Sequence, residues 1–205
     1  MTMAPLDTEL DDLPQPLRWR EWMARAEAVL FAAPEPVSAA VLARVVGRDC
    51  AIELLIEDIA AELAARPYEI VRVAGGWQFR TRARHAEAIR AAQGEDAAPR
   101  DLTPAEALVL TVIAYLQPVT RGAVARLTGR AVGRDLIARL ARQGLIERGP
   151  RSPEPGAPHT YVTTPAFLTL FGLETLRDLP DLEALEDAGL LEEGADLDLP
   201  IAGEE

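Results

Sequence analysis

Apolar residues recur at helical spacing along most of the chain, and the clearest run is "TPAEALVLTVIAYLQPVTRGAVARLTG", Thr103 to Gly129. Thr103 and Glu106 form a T-x-x-E capping box, with Pro104 at the first helical position. Ala105, Leu108, Val109, Val112, Ile113 and Leu116 follow the i, i+3, i+4, i+7 rule and predict one apolar face. Pro118 ends the run, Thr120 caps a second helix, and Gly129 stands where a left-handed residue would terminate it. Helices joined by so short a turn cross steeply, which is the opening half of a helix-turn-helix.

The same pattern occurs earlier. "PVSAAVLARVVG" (Pro36 to Gly47) aligns without gaps on "PVTRGAVARLTG" (Pro118 to Gly129), with Ser38 in place of the Thr120 cap. Equivalent elements flank both strings, so the chain reads as two copies of one small domain. In the first copy, helices are predicted over Leu17–Phe31, Ser38–Gly47 and Cys50–Ala65, with Trp19, Trp22, Met23, Ala26 and Leu30 on the first apolar face. The period then drops to two: "YEIVRV" and "WQFRT" make a hairpin joined through Gly75-Gly76. A helix over Arg84–Gln93 closes the copy. In the second, a third helix over Val132–Gln143 precedes the strands "LIER" and "HTYVTT", separated by the proline-rich tip "GPRSPEPGAP". A short helix, Pro165–Phe171, ends at Gly172.

Three helices followed by a hairpin predict a winged helix. The fold class is therefore mainly α with small β-hairpins (α+β), as two tandem winged-helix domains. The expected boundaries are a disordered acidic N-terminus (1–16), domain 1 (17–93), a linker (94–102), domain 2 (103–180) and an acidic, largely disordered tail (181–205). Leu173, Leu176, Leu179, Leu182 and Leu185 recur at spacing three. They either pack on the body or form an exposed docking segment.

Charge changes this picture in one respect. The formal net charge is −12 and all 21 basic residues are arginine. Residues 1–16 carry four acids and 178–205 carry eleven, with no base in either. The body between them is close to neutral, so the overall acidity does not exclude a polyanionic partner. The first copy's third helix turns Glu53, Glu57, Asp58 and Glu62 outward, a face that DNA phosphates would repel. The second copy is the opposite. Arg121, Arg126, Arg130, Arg134, Arg139, Arg142, Arg148 and Arg151 meet only Asp135 and Glu147. That patch suits phosphate contact or an acidic partner segment.

No catalytic constellation is visible. His85 and His159 lack metal-ligand neighbours, the glycine-rich nucleotide motifs are missing, and Glu57-Asp58 reads as a solvated pair. No enzyme, metal or cofactor role is expected. Cys50 is alone and reads as a reduced thiol. No apolar run approaches the ~20 residues needed to span a membrane, and the acidic N-terminus does not read as a secretory signal.

Several strings resemble the segregation and condensation protein B (ScpB) family: "AEAVLFAAPEPVS", "VAGGWQFRT", "TVIAYLQPVTR" and "LIERGP…PGAPHTYVTTPAFLTLFGLETLRDLP". The resemblance covers about residues 20–180. It departs from the family's pattern at Thr128–Val132 and at Gly156-Ala157-Pro158. It implies a non-enzymatic subunit of the bacterial condensin, in the cytoplasm with the nucleoid. There a homodimer binds the kleisin ScpA, and through it SMC, in chromosome condensation and segregation. It also implies dimerisation through the first winged helix and kleisin binding through the second. Candidate dimer residues are Trp19, Trp22 and Met23, which would alternatively fill the first core. Candidate partner or DNA contacts are Tyr115, Gln117, Arg121, Arg130, Arg134, Arg139, Arg142, Arg148 and Arg151. Direct DNA binding is expected to be weak or absent. The competing reading is a tandem winged-helix DNA-binding regulator acting through the Arg-rich second domain.

Overall fold

Packing begins with helix α1 (Gln15–Ala32), whose buried stripe is Trp22, Met23, Ala26 and Leu30. That spacing keeps one side of a 3.6-residue helix continuously apolar. The structure is a computed structural model and describes residues 6–93, 102–153 and 156–180. The chain forms two compact units that divide between residues 99 and 100. The expected linker at 94–102 lies outside the described residues except for Leu102, and the tail at 181–205 lies wholly outside them.

In the first unit α1 is followed by α2 (Ala39–Leu42), α3 (Ile52–Glu62), strands β1 (Tyr68–Val73) and β2 (Gly76–Thr81), a 3-10 turn at Ala83–His85 and α4 (Ala86–Gln93). Ile52, Leu55, Ile56 and Ile59 of α3 close the core against α1, with Leu42, Val46 and Trp77. Glu53, Glu57, Asp58 and Glu62 are exposed, as their spacing predicts.

Two glycines act differently from the sequence reading. The hairpin turn is Ala74-Gly75, both at positive φ (48° and 72°), not Gly75-Gly76. Gly76 already belongs to β2, where a Cβ would come within 2.7 Å of the Val37 carbonyl oxygen. Val37 and Trp77 exchange both backbone hydrogen bonds (2.8 and 2.9 Å), and only a residue without a side chain lets those backbones meet. Gly47, the expected end of the second helix, lies beyond α2, which stops at Leu42. A Cβ there would stand 2.4 Å from the Trp22 ring, so this glycine makes room for an indole.

The N-terminal segment also departs from expectation, because residues 6–13 are docked rather than loose. The Trp22 Nε1–H donates to the Thr8 carbonyl (2.8 Å), Arg25 reaches the Asp7 carbonyl (2.6 Å), Glu9 pairs with Arg48 (3.1 Å), and Leu10 packs on the core. A buried indole N–H needs an acceptor, and this segment supplies it. Residues 1–5 lie outside the described residues.

The second unit runs α5 (Pro104–Leu116), β3 (Val119–Thr120), α6 (Arg121–Leu127), α7 (Arg134–Arg142), β4 (Ile146–Arg151), β5 (His159–Thr163) and α8 (Pro165–Phe171), then a 3-10 turn at Leu176–Asp178. The Thr103–Glu106 capping box is present in both directions. Glu106, Val109, Leu110, Val112, Ile113 and Ala114 of α5 are buried, a wider face than the stripe anticipates, while Ala105 is exposed. Gly129, Gly144 and Gly172 all sit at positive φ (61°, 72° and 73°) at helix ends. Strand order is β3-β5-β4, antiparallel throughout. Leu173 and Leu179 pack on the second core and Leu176 is exposed; Leu182 and Leu185 lie outside the described residues.

Each unit thus has its own core and a three-helix, two-strand order. In each, the valine before the second helix pairs with the second hairpin strand: Val37 with Trp77, and Val119 with Tyr161.

Candidate functional site

A cleft of about 860 Å³ lies in the second unit, between α6, α7 and the β4–β5 hairpin. Helix α7 forms one wall. Ile137 and Leu140 turn into the core, while Arg134, Ala138 and Ala141, at i, i+4 and i+7, line the cleft as one stripe. The two alanines leave room between helix and hairpin. The opposite wall is Glu147 and Arg148 on β4 with His159 and Tyr161 on β5. Arg148 and Tyr161 are directly opposite in register. Thr120, Arg121, Gly122 and Arg126 close one end, and Pro158 borders the hairpin side.

The lining carries four arginines against one carboxylate. The Arg121 guanidinium is fixed, donating to the Val132 carbonyl at 2.7 Å. Among the described residues, the guanidinium groups of Arg126, Arg134 and Arg148 make no hydrogen bond or ion pair, and all three residues are exposed. Cations held around a concave, half-apolar surface suit an anionic ligand with apolar groups. Low-dielectric walls strengthen each charge contact relative to a flat surface.

Other sequence candidates have structural duties. The Arg139 Nε pairs with the Glu106 Oε1 at 2.9 Å and so binds α7 to the start of α5. Gln117 donates to the Thr163 hydroxyl (2.9 Å) and accepts from the Thr163 backbone N–H (2.8 Å), tying α5 to β5. The Tyr115 hydroxyl donates to the Pro180 carbonyl. Arg151 donates to the Ala157 carbonyl within the hairpin (2.9 Å). Arg130 and Arg142 are exposed but do not line the cleft. The structure therefore gathers Arg121, Arg134 and Arg148 from the sequence-derived set. It adds Arg126, His159 and Tyr161. The Arg134–Ala138–Ala141 spacing carried a signal for the helix wall, but the partner strand could not be read from it.

In the first unit, Trp22 and Met23 are each 8% exposed within the core, and Trp19 donates to Asp58 Oδ2 at 2.8 Å. Trp22 and Met23 belong to the first core, and Trp19 packs against it. The exposed aromatic surface lies elsewhere: Phe31 is 83% exposed and meets Phe79 edge-on, and Phe79 meets Tyr68 in the same way.

Two groups have altered acidity. The Thr103 backbone N–H and then its hydroxyl hold the Glu106 carboxyl below the ordinary range, and Arg139 assists against the cost of burial. Burial pushes the Cys50 thiol up. Among the described residues no group of three His, Cys, Asp or Glu could hold a metal ion, and no helix is long and apolar enough to cross a membrane.

Fold and cleft together define a two-unit α+β protein with a cation-rimmed cleft in its second unit. The family described as "Segregation and condensation complex subunit ScpB" matches residues 24–182, and this chain belongs to it. Segregation and condensation protein B of Syntrophotalea carbinolica is 37% identical over 166 residues, covering 80% of this chain and 83% of that protein. The Desulforamulus reducens protein of the same name is 39% identical over 161 residues, covering 77% and 87%. Among solved structures, ScpB from Mycobacterium tuberculosis shares 30% identity, covering 76% of this chain and 97% of that one, with a TM-score of 0.36. The family assignment rests on sequence. It places the protein in chromosome segregation and condensation, in agreement with the resemblance read from its strings.

Proposed function

We propose that this chain is a non-enzymatic, homodimeric subunit of the bacterial condensin, built of two winged helices, and that its second unit grips the kleisin ScpA. Through the kleisin it supports the work of SMC on the nucleoid in the cytoplasm. The observation that carries this reading is the cleft. Three unpaired arginines around an apolar-floored concavity can hold an acidic, leucine-bearing protein segment with both charge and burial. The domain limits follow as 17–93 for dimerisation and 103–180 for the kleisin. The Phe31–Phe79–Tyr68 surface is the favoured dimer anchor, because exposed aromatic side chains give large contact area at little entropic cost.

The test is co-purification of the full chain with its ScpA, followed by titration. Arg126→Glu with Arg148→Glu should weaken that complex by about 30-fold or more, the scale of a hot-spot loss of ~2 kcal/mol. Unchanged affinity would overturn the cleft assignment. The DNA-regulator reading draws on the same arginines. Three phosphate contacts would give a salt slope of only about −3, so a mobility shift at ~150 mM salt should show little binding. A tight, sequence-selective complex abolished by those substitutions would replace the kleisin reading.

A further inference from the structure

We infer that the acidic C-terminal segment, residues 181–205, docks into the second unit's cleft and competes there with the partner; this rests on reading the cleft as a docking site. The segment carries ten acids and no base, interleaved with leucines, as in Glu183–Glu193, "EALEDAGLLEE". Its composition mirrors the lining: Arg126, Arg134 and Arg148 for carboxylates, and Ala138, Ala141 and Tyr161 for leucine side chains. The first unit offers no such match in α3, whose outward charges are Glu53, Glu57, Asp58 and Glu62. The tether also starts on the right unit. Leu179 packs on the second core and the Tyr115 hydroxyl holds the Pro180 carbonyl, so the segment departs from the same body that bears the cleft.

Reach is not limiting. Twenty-five residues span up to ~80 Å extended and about 30 Å as a flexible coil, enough to reach any face of a unit this size. A short tether raises the local concentration of its ligand to about 1 mM. Even a segment that binds with a Kd of ~0.1 mM in trans would then fill the cleft about nine-tenths of the time and weaken a competitor about tenfold.

The experiment uses the full chain and a full-length variant with E183Q, E186Q, D187N, E192Q and E193Q. The probe is a fluorescently labelled peptide of residues 181–199. At ~50 mM salt the neutralised variant should bind the peptide about tenfold more tightly than the unaltered chain. Adding R126E and R148E should abolish binding, and ~500 mM salt should erase the difference between the two chains. Amide exchange in α7 and β4–β5 should be slower in the unaltered chain than in the neutralised one. Equal peptide affinities, or identical exchange in those elements, would overturn the inference. Kleisin titrations separate it from the reading beneath it. If the Arg pair abolishes kleisin binding but the peptide never binds, the tail inference alone fails. If the peptide needs the Arg pair and the kleisin does not, the kleisin assignment fails and the tail inference stands.

Discussion

The two units share an inward pattern and differ in what they turn outward. Pro36–Gly47 and Pro118–Gly129 place a valine against the second hairpin strand, then a short helix, then a third helix whose isoleucines and leucines close the core. On that common scaffold the exposed third-helix positions are acidic in α3 and basic in α7. Buried positions are constrained by volume and by the need to exclude water, so they diverge slowly in kind. Outward positions are constrained only by what they meet. A shared inward pattern thus leaves the outward surface free to differ.

The largest effect that could break this comparison concerns independence. Leu55 and Ile113 are both fully buried, one in each core. Leu55→Ala and Ile113→Ala should each cost about 2–5 kcal/mol through lost burial and a residual cavity. If each unit folds around its own core, thermal unfolding of the full chain shows two transitions, and each variant lowers one by about 10 °C or more. A single transition that falls equally in both variants would mean that the units are one cooperative body, and the comparison would lose its basis.

A smaller effect sharpens the contrast at the helix starts. In the second unit the Thr103 backbone N–H (2.9 Å) and hydroxyl (2.8 Å) both donate to the Glu106 Oε2, and Arg139 pairs with the Oε1. Helix α1 has no side-chain cap at Pro14. Because Glu106's folded pKa lies below its unfolded one, its stabilisation is complete above the ordinary carboxylate range. It is lost as pH falls through that range towards the folded value. The second unit's melting temperature should therefore fall more steeply on acidification than that of an E106Q variant. Thr103→Ala, which removes the cap, should cost about 1 kcal/mol at neutral pH. Parallel pH profiles for the two chains would show that the cap holds no charge-dependent stability.

Where the fold was legible, short local rules sufficed. The capping box, the helix-ending Gly129 and Gly172, and the period change at Tyr68 each depend on neighbours within a few residues. What was not legible depends on partners distant in sequence. A one-residue bridge at Val37 and a two-residue strand at Val119–Thr120 have no period to detect. The hairpin turn moved by one residue because Gly76 is needed opposite Val37, a contact 39 positions away. The cleft shows the same limit. Charge density pointed to Arg121, Arg134 and Arg148, yet equally to Arg139, which pairs inside the unit with Glu106. Only the placement of α7 against β4 and β5 distinguishes an arginine open to the cleft from one already paired within the unit.

The finest distinction between the copies lies at the second helix. Thr120 accepts a hydrogen bond from the Ala123 N–H at 3.2 Å, whereas Ser38 occupies the equivalent N-cap position with no side-chain cap hydrogen bond. A cap's value comes from satisfying an orphan N–H, so residue type alone does not confer it. Thr120→Ala should then cost about 1 kcal/mol, while Ser38→Ala should change stability by only a few tenths. Thr120 is also buried and pairs with Thr160 across β3 and β5, so Thr120→Ser is the control that keeps the hydroxyl and removes only the methyl. If Thr120→Ser retained most of the stability that Thr120→Ala loses, the hydroxyl would be the source. Equal losses at Ser38 and Thr120 would instead mean that the two helix starts are energetically alike, and that α2, a single turn, is held by the same device as α6.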